Sequence, residues 1–198
     1  MHAARHALGR EDVQIVAEDV EGHGKRYAPC LWRALFDYYR TKKPAKRHLY
    51  AVVMEARHNA HGFPLVIDID GKNAGDAGCS RAAVLAELRR IVNVIQVWIA
   101  VLASDRSPWL QRLVPSADVL VDDTCAPDGQ AQSAHLMCRR VGFRTTEAAR
   151  AFSQQHFASP WLDRGIPKNN GLFKLPGNRK AQPGGRVQVW AAPSLLAI

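Results

Sequence analysis

The most informative pattern of apolar and polar positions is an apolar run that begins at Pro64 and ends in two aspartates one residue apart, Asp68 and Asp70. Successive side chains on a β-strand point to opposite faces, so Asp68 and Asp70 are predicted to share one face. The other face is predicted to enter a core through Leu65, Ile67 and Ile69. Two carboxylates side by side at the end of a strand can bind one or two divalent cations.

The same kind of pattern predicts the other elements of the chain. Helical spacing of apolar residues predicts helices over Leu31–Tyr39, Ser80–Ala103 and Thr145–His156, with Ser80 as an N-cap. Strand-like runs are found at Val13–Val16, Leu49–Glu55, Asp118–Asp122, Ser133–Val141, Leu172–Leu175 and Arg186–Ala191. This order of elements predicts an α+β protein with a mostly antiparallel sheet covered by helices on one side.

Composition sets the broad class of the protein. The 198 residues suit one large domain or two small, tightly packed modules, and 47% hydrophobic residues can bury a sizeable core. Lys and Arg exceed Asp and Glu by 27 to 18, and the resulting charge of +9 favours a polyanionic partner. The longest apolar segment, Val84 to Ala103, is interrupted by charged and amide residues, so we expect a buried amphipathic helix and no membrane partner.

The four cysteines are far apart and form no C-x-x-C pair, so no zinc-binding module is expected in this chain. The residues after Met1 lack the apolar segment of a secretory signal. Free thiols in an intracellular, reducing compartment are therefore predicted.

Three further patterns could carry chemistry. If Ser133 and His135 lie on a strand, they share a face, and a hydroxyl beside an imidazole suits phosphate oxygens. Asp163 supplies a third carboxylate after two large apolar residues. Farther along, cations surround a strand and a Pro-Gly turn, where they could clamp a triphosphate: Lys174, Arg179 and Lys180. Each pattern alone is also typical of an ordinary surface.

Their order resembles the three catalytic motifs of the archaeo-eukaryotic primase superfamily. Asp68-Ile-Asp70 is similar to the first motif, Ser133-Ala-His135 to the second, and Leu162-Asp-Arg-Gly-Ile166 followed by Leu172-Phe-Lys-Leu175 to the third. The flanking residues are closest to eukaryotic primase-polymerases, and Leu175-Pro176 with a downstream lysine is similar to herpesvirus-type primases. The resemblance covers about residues 31 to 181.

The resemblance implies a role for each matching residue. Asp68, Asp70 and Asp163 would be the catalytic carboxylates that bind Mg²⁺ or Mn²⁺. The phosphates of an incoming NTP or dNTP would be held by Ser133, His135, Lys174, Arg179 and Lys180. The implied activity is template-directed nucleotidyl transfer, as in a DNA primase or DNA polymerase of replication or damage tolerance. The implied partners are a single-stranded DNA template and primer, with further domains or replication proteins, in the nucleus or another DNA-containing compartment.

The resemblance also implies a fold. It predicts one catalytic core over residues 1–198, with an N-terminal αβ part over about 1–60 and an RRM-like antiparallel sheet over about 61–198. The three aspartates are expected to meet in the cleft between these parts.

Two other functions remain open from the residues alone. Leu65 to Gly71 also resembles the nucleophile motif of haloacid-dehalogenase-type phosphatases, in which Asp68 would be phosphorylated and would lie in a parallel α/β sheet. Alternatively, the chain is a non-catalytic nucleic-acid-binding module whose basic clusters are Lys42–Arg47, Arg139–Arg140 and Arg179–Lys180.

Overall fold

The computed structural model describes residues 13–20, 24–43, 48–55, 62–71, 80–102, 104, 118–123, 132–175, 178 and 189–190. The strands are β1 (Val13–Val20), β2 (Gly24–Leu31), β3 (Leu49–Val52), β4 (Phe63–Asp70), β5 (Val119–Asp123), β6 (Ser133–Phe143), β7 (Leu172–Lys174) and β8 (Val189–Trp190). The helices are α1 (Trp32–Thr41), α2 (Arg81–Leu102) and α3 (Thr146–Phe157). The α+β class predicted from the sequence is confirmed.

The described strands form two sheets of four strands, in the orders β2-β1-β3-β7 and β4-β6-β5-β8. Every described strand pair is antiparallel. The residue pattern predicted a single, mostly antiparallel sheet, whereas the described strands form two. The family resemblance placed Leu172–Leu175 in the part of the chain after about residue 61, whereas β7 pairs with β3 of the first sheet.

The second sheet is built from an ordered succession of elements. The chain passes through β4, α2, β5, β6 and α3, and then returns to the edge of β4, where Leu162 forms an antiparallel bridge with Ile69. This is the succession of a β-α-β-β-α-β motif. As a result, β4 lies between β6 and the segment around Leu162, so residues distant in sequence flank both sides of Asp68.

Helix α2 covers the apolar face of this sheet. Its buried residues recur every three or four positions: Val84, Leu85, Leu88, Ile91, Val92, Ile95 and Ile99. The Ser80 hydroxyl accepts from the Ala83 amide over 3.2 Å, which confirms the predicted N-cap. No helix in the described part of the chain is both long enough and apolar enough to cross a membrane.

The predicted core residues are confirmed where the strands meet this helix. Leu65, Ile67 and Ile69 are at most 2% exposed, and Ala134 and Leu136 of β6 are fully buried. Their sequence neighbours Asp68, Asp70, Ser133 and His135 are only partly buried, so the polar side chains occupy the opposite face.

Helix α3, which the sequence predicted over about residues 145–156, is capped at its start by Thr145. The Thr145 side chain accepts from the amide of Ala148, and the helix then runs to Phe157. Glu55, just after β3, accepts from both the amide and the hydroxyl of Thr146 over 3.0 and 2.7 Å. A carboxylate at a helix N-terminus stabilises the helix. Through these hydrogen bonds Glu55, which follows β3 of the first sheet, is joined to α3, the helix that precedes Asp163.

Candidate functional site

The register of β4 and β6 brings two of the predicted motifs together. Asp68 pairs with His135, and Asp70 pairs with Ser133. His135 Nε2 lies 3.5 Å from Asp68 Oδ1, and both side chains are about one-fifth exposed. The Gly71 amide, directly after Asp70, donates to the Gln132 carbonyl over 2.7 Å and fixes the ends of the two strands against each other.

Asp163 lies on the other side of Asp68. Its amide donates to the Asp68 carbonyl over 3.0 Å, and the Asp70 amide donates to the Trp161 carbonyl over 2.9 Å. This pattern surrounds the Ile69–Leu162 bridge, so Asp163 occupies the position opposite Asp68. Asp163, Asp68 and His135 therefore form one row across three neighbouring segments, in that order.

The carboxylate of Asp163 also organises the turn that follows it. Its Oδ1 accepts from the Gly165 amide over 2.8 Å, and the Asp163 carbonyl accepts from the Ile166 amide over 3.1 Å. An aspartate that binds the backbone two residues later is a common turn-forming device. The same residue thus shapes the local turn and carries a charge beside Asp68.

The carboxylates suit a hard divalent cation by their chemistry, because Mg²⁺ and Mn²⁺ prefer oxygen ligands. Within the described ranges, no three His, Cys, Asp or Glu side chains are grouped tightly enough to form a ready metal site. One oxygen of Asp68 lies near His135, and one oxygen of Asp163 accepts from Gly165. Since a carboxylate has two oxygens, each aspartate can keep these contacts and still bind a cation.

The first sheet reaches the site through β7. The Phe173 ring packs against the His135 imidazole with centroids 4.9 Å apart, and Phe173 is 5% exposed. Lys174 follows on the same strand and pairs in register with Tyr50. Alternation along β7 places Lys174 on the strand face opposite Phe173, so strand geometry does not direct its ammonium toward His135.

Two of the predicted phosphate ligands, Arg179 and Lys180, lie outside the described residues. The residue before them, Asn178, is fully buried, and its side chain makes three hydrogen bonds. Its side chain accepts from the Leu49 amide over 2.8 Å and donates to the Tyr39 hydroxyl and the Leu175 carbonyl over 2.7 and 2.9 Å. Asn178, the residue directly before the two cations, is therefore fixed to β3 and α1.

Sequence reasoning missed the supporting roles of Phe173 and Asn178. The period-two pattern of Leu172-Phe-Lys174 marks Phe173 as an inward residue, but its contact with His135 is long-range. Asn178 follows the dipeptide Pro-Gly in the sequence, where a polar residue is ordinary, and its burial depends on groups from β3 and α1.

Two arginines of β6 form ion pairs with a buried aspartate. Asp118 is 3% exposed, and its carboxylate contacts Arg139 and Arg140 over 3.0 and 3.2 Å. The Asp118 carboxylate offsets one of the two positive charges in a basic cluster that the non-catalytic hypothesis assigned to nucleic acid. The other two basic clusters lie partly or wholly outside the described residues.

Comparison with known proteins adds no assignment. No protein-family model matches the chain, and no curated protein matches it.

Proposed function

We propose that the chain is the catalytic core of a primase-polymerase, which joins nucleotides to a primer on a DNA template in a reaction dependent on Mg²⁺ or Mn²⁺. The row formed by Asp163, Asp68 and His135, which we call the catalytic row from here on, carries this proposal, because three residues from three different motifs occupy adjacent positions. The order of the motifs along the sequence resembles that of the primase superfamily, and their convergence in the structure supports the same function.

The proposal assigns metal binding and phosphate binding to different residues of the site. Asp68, Asp70 and Asp163 would hold the metal ions, which when bound neutralise the triphosphate and polarise the reacting oxygens. Ser133 and His135 lie on the β6 side of the aspartates and would hold the phosphates of the incoming nucleotide. Phe173 packs on His135 and restricts the orientation of its ring.

The reaction is an in-line substitution at phosphorus. The 3′ oxygen of the primer forms a bond to the α-phosphorus of the nucleotide, and the bond from that phosphorus to the oxygen bridging to the β-phosphate breaks. Pyrophosphate leaves with that electron pair, and the hydroxyl proton passes to solvent. Asp163 and Asp68 would orient the two reactants through the metal ions that they hold, and His135 would orient the phosphates of the nucleotide.

The fold is consistent with the two-module primase core that the proposal implies. The sheet β4-β6-β5, with the Leu162 segment beside β4 and helices on one face, follows the succession of an RRM-like module. The sheet β2-β1-β3-β7 with α1 would be the smaller αβ module. His135 and Phe173 make contact between these two sheets.

The phosphatase alternative fits the structure less well. It expects Asp68 at the end of a strand in a parallel α/β sheet, whereas β4 pairs antiparallel with β6 and with the Leu162 segment. It also assigns no role to His135, which lies 3.5 Å from Asp68.

A primer-extension assay tests the proposal directly. The protein is incubated with Mn²⁺ or Mg²⁺, a labelled primer on a single-stranded template, and either dNTPs or NTPs. Template-dependent extension is expected, and phosphate release from a generic phosphomonoester is not. Absence of extension with every nucleotide and both metals, by protein that binds the primed template, would favour the non-catalytic alternative.

A further inference from the structure

The end of β3 is held against the segment that leads into β7. Just beyond the strand, the Val53 amide donates to the Gly171 carbonyl over 2.9 Å, and the Asn170 amide donates to the Val53 carbonyl over 2.7 Å. Two residues later, the Glu55 amide donates to the Asn169 side chain over 3.2 Å. These contacts continue the pairing of β3 with β7, so the two strands and the residues next to them form one unit.

The Glu55 side chain joins this unit to helix α3. One of its carboxylate oxygens accepts from the amide and the hydroxyl of Thr146 over 3.0 and 2.7 Å. Thr146 is the first residue of α3 and is 6% exposed. Hydrogen bonds to a carboxylate are stronger than those between neutral groups, and a helix N-terminus favours negative charge. Because α3 packs on β6, Glu55 connects the first sheet with the second.

The position of β3 also determines what reaches His135. Ala51 of β3 pairs in register with Phe173 of β7. The Phe173 ring in turn packs on the His135 imidazole of β6, with centroids 4.9 Å apart. This ring contact crosses from one sheet to the other, so it requires the two sheets to keep a fixed relative position. Glu55 lies four residues after Ala51 and supplies a hydrogen-bonded link between them.

We propose that Glu55 is a positioning residue for nucleotide binding, because it joins β3 to α3 and thereby keeps Phe173 against His135. Glu55 itself does not contact the nucleotide. The inference rests on the proposed function in one respect, which is that the nucleotide is the ligand of His135. Asp163 is held in a different way, since its amide donates to the Asp68 carbonyl. The carboxylates should therefore keep their places without Glu55.

The variants remove the link from either side. Glu55→Ala removes both hydrogen bonds, Glu55→Gln keeps an acceptor oxygen, and Thr146→Val removes only the hydroxyl. Glu87→Ala is the matched control. Glu87 is also partly buried and accepts two hydrogen bonds from Arg90, over 2.9 and 2.7 Å. Arg90 donates in addition to the carbonyl of Phe157, the last residue of α3, so the control disturbs the opposite end of the same helix.

The first measurement is the NMR signal of the His135 ring in protein with isotope-labelled histidine, assigned by its absence from His135→Ala. A neighbouring aromatic ring shifts this signal. In Glu55→Ala the signal should move toward its position in Phe173→Leu, and in Thr146→Val it should move less far in the same direction. It should keep its wild-type position in Glu55→Gln and Glu87→Ala. A role of Glu55 in stability alone would leave the signal of the folded protein in place.

The second measurement is nucleotide affinity by isothermal titration, at a temperature at which every variant is folded. Glu55→Ala should weaken binding about fivefold, and Glu87→Ala by less than about twofold. The double variant Glu55→Ala/Phe173→Leu should bind no more weakly than the weaker single variant, because both changes act through one contact. Additive losses would overturn the proposal, since Glu55 would then act by another route.

An unchanged His135 signal in folded Glu55→Ala would also overturn the proposal, as would an equal shift in Glu87→Ala. If Glu55→Ala does not fold, Thr146→Val decides by the same two measurements. Failure of the proposed function has a different signature, in which the wild-type protein binds no nucleotide and extends no primer. The His135 signal needs neither nucleotide nor activity, so it still shows whether Glu55 positions the ring contact.

Discussion

The backbone amide of Asp163 donates to the backbone carbonyl of Asp68 over 3.0 Å. This hydrogen bond joins a residue after α3 to a strand that precedes α2, so the pair exists only in the folded chain. Because the main chains make the contact, the separation of the two side chains is set by backbone geometry. Substitutions that change only the carboxylates should therefore alter the chemistry of the site with little effect on the fold.

Asp163→Asn separates the turn-forming role of Asp163 from its charge. The amide oxygen of asparagine can still accept from Gly165, but the carboxylate that we propose to bind metal is lost. We expect primer extension to fall at least about 100-fold, on the scale of removing one transition-state contact, with thermal stability retained. Asp163→Ala should lose activity equally and also lose about 1 kcal/mol of stability with the hydrogen bond. Full activity in Asp163→Asn would exclude a metal-binding role.

His135→Ala tests the assignment of His135 to the nucleotide. The variant removes a phosphate donor and the ring that packs on Phe173, while β4 and β6 keep their backbone pairing. Nucleotide binding should weaken about tenfold, as for loss of one charge-assisted hydrogen bond. Binding of single-stranded DNA should hardly change. Isothermal titration with nucleotide and anisotropy with DNA measure the two affinities, and an unchanged nucleotide affinity would remove His135 from the site.

Phe173→Leu tests whether the first sheet supports the site. Leucine stays apolar but loses the ring contact with His135, whose centroid lies 4.9 Å away. We expect a loss of about 1 kcal/mol in unfolding free energy and a weaker nucleotide affinity, with DNA affinity preserved. Urea unfolding and nucleotide titration provide the two measurements. If only stability falls, Phe173 is a core residue without influence on His135.

The ion pair around Asp118 should be structural. Asp118→Asn would leave Arg139 and Arg140 facing a neutral group in a site where Asp118 is 3% exposed. Removing one partner of a buried pair typically costs about 3 kcal/mol. Asp37→Asn is the control, because the Asp37–Arg40 pair at 3.6 Å is mostly exposed and should contribute at most about 0.5 kcal/mol. Equal effects in urea unfolding would contradict the structural role.

Glu87 should make stability depend on pH at the acidic end. The hydrogen bond from Arg90 lowers the pKa of the Glu87 carboxyl below its ordinary 4.5. A carboxyl with a lowered folded-state pKa contributes stability that is fully present above pH 4.5 and is lost as pH falls through the folded value. Glu87→Gln should therefore be less stable than wild type at pH 6, with the difference shrinking toward pH 3. A constant difference across this range of about pH 3 to 6 would contradict the linkage.

Much of the fold follows from local patterns, and much of the site does not. Alternation correctly places Asp68 and Asp70 on one face of β4, and spacing predicts the three helices found in the described residues. Strand β2 escaped prediction because Gly24–Leu31 mixes charged residues with Pro29 and lies at a sheet edge, where no apolar face is required. The alternation of side chains along a strand does not determine which strands become neighbours. The division into two sheets and the position of β7 depend on long-range strand pairing, which the local pattern does not show.

Asp68→Asn in the primer-extension assay tests the central claim most directly. The substitution preserves the size of the side chain beside His135 and removes its negative charge. The account predicts a loss of extension of at least about 100-fold with both Mg²⁺ and Mn²⁺. It also predicts an unfolding midpoint within about 3 °C of wild type. Extension at the wild-type rate by a folded Asp68→Asn protein would contradict it.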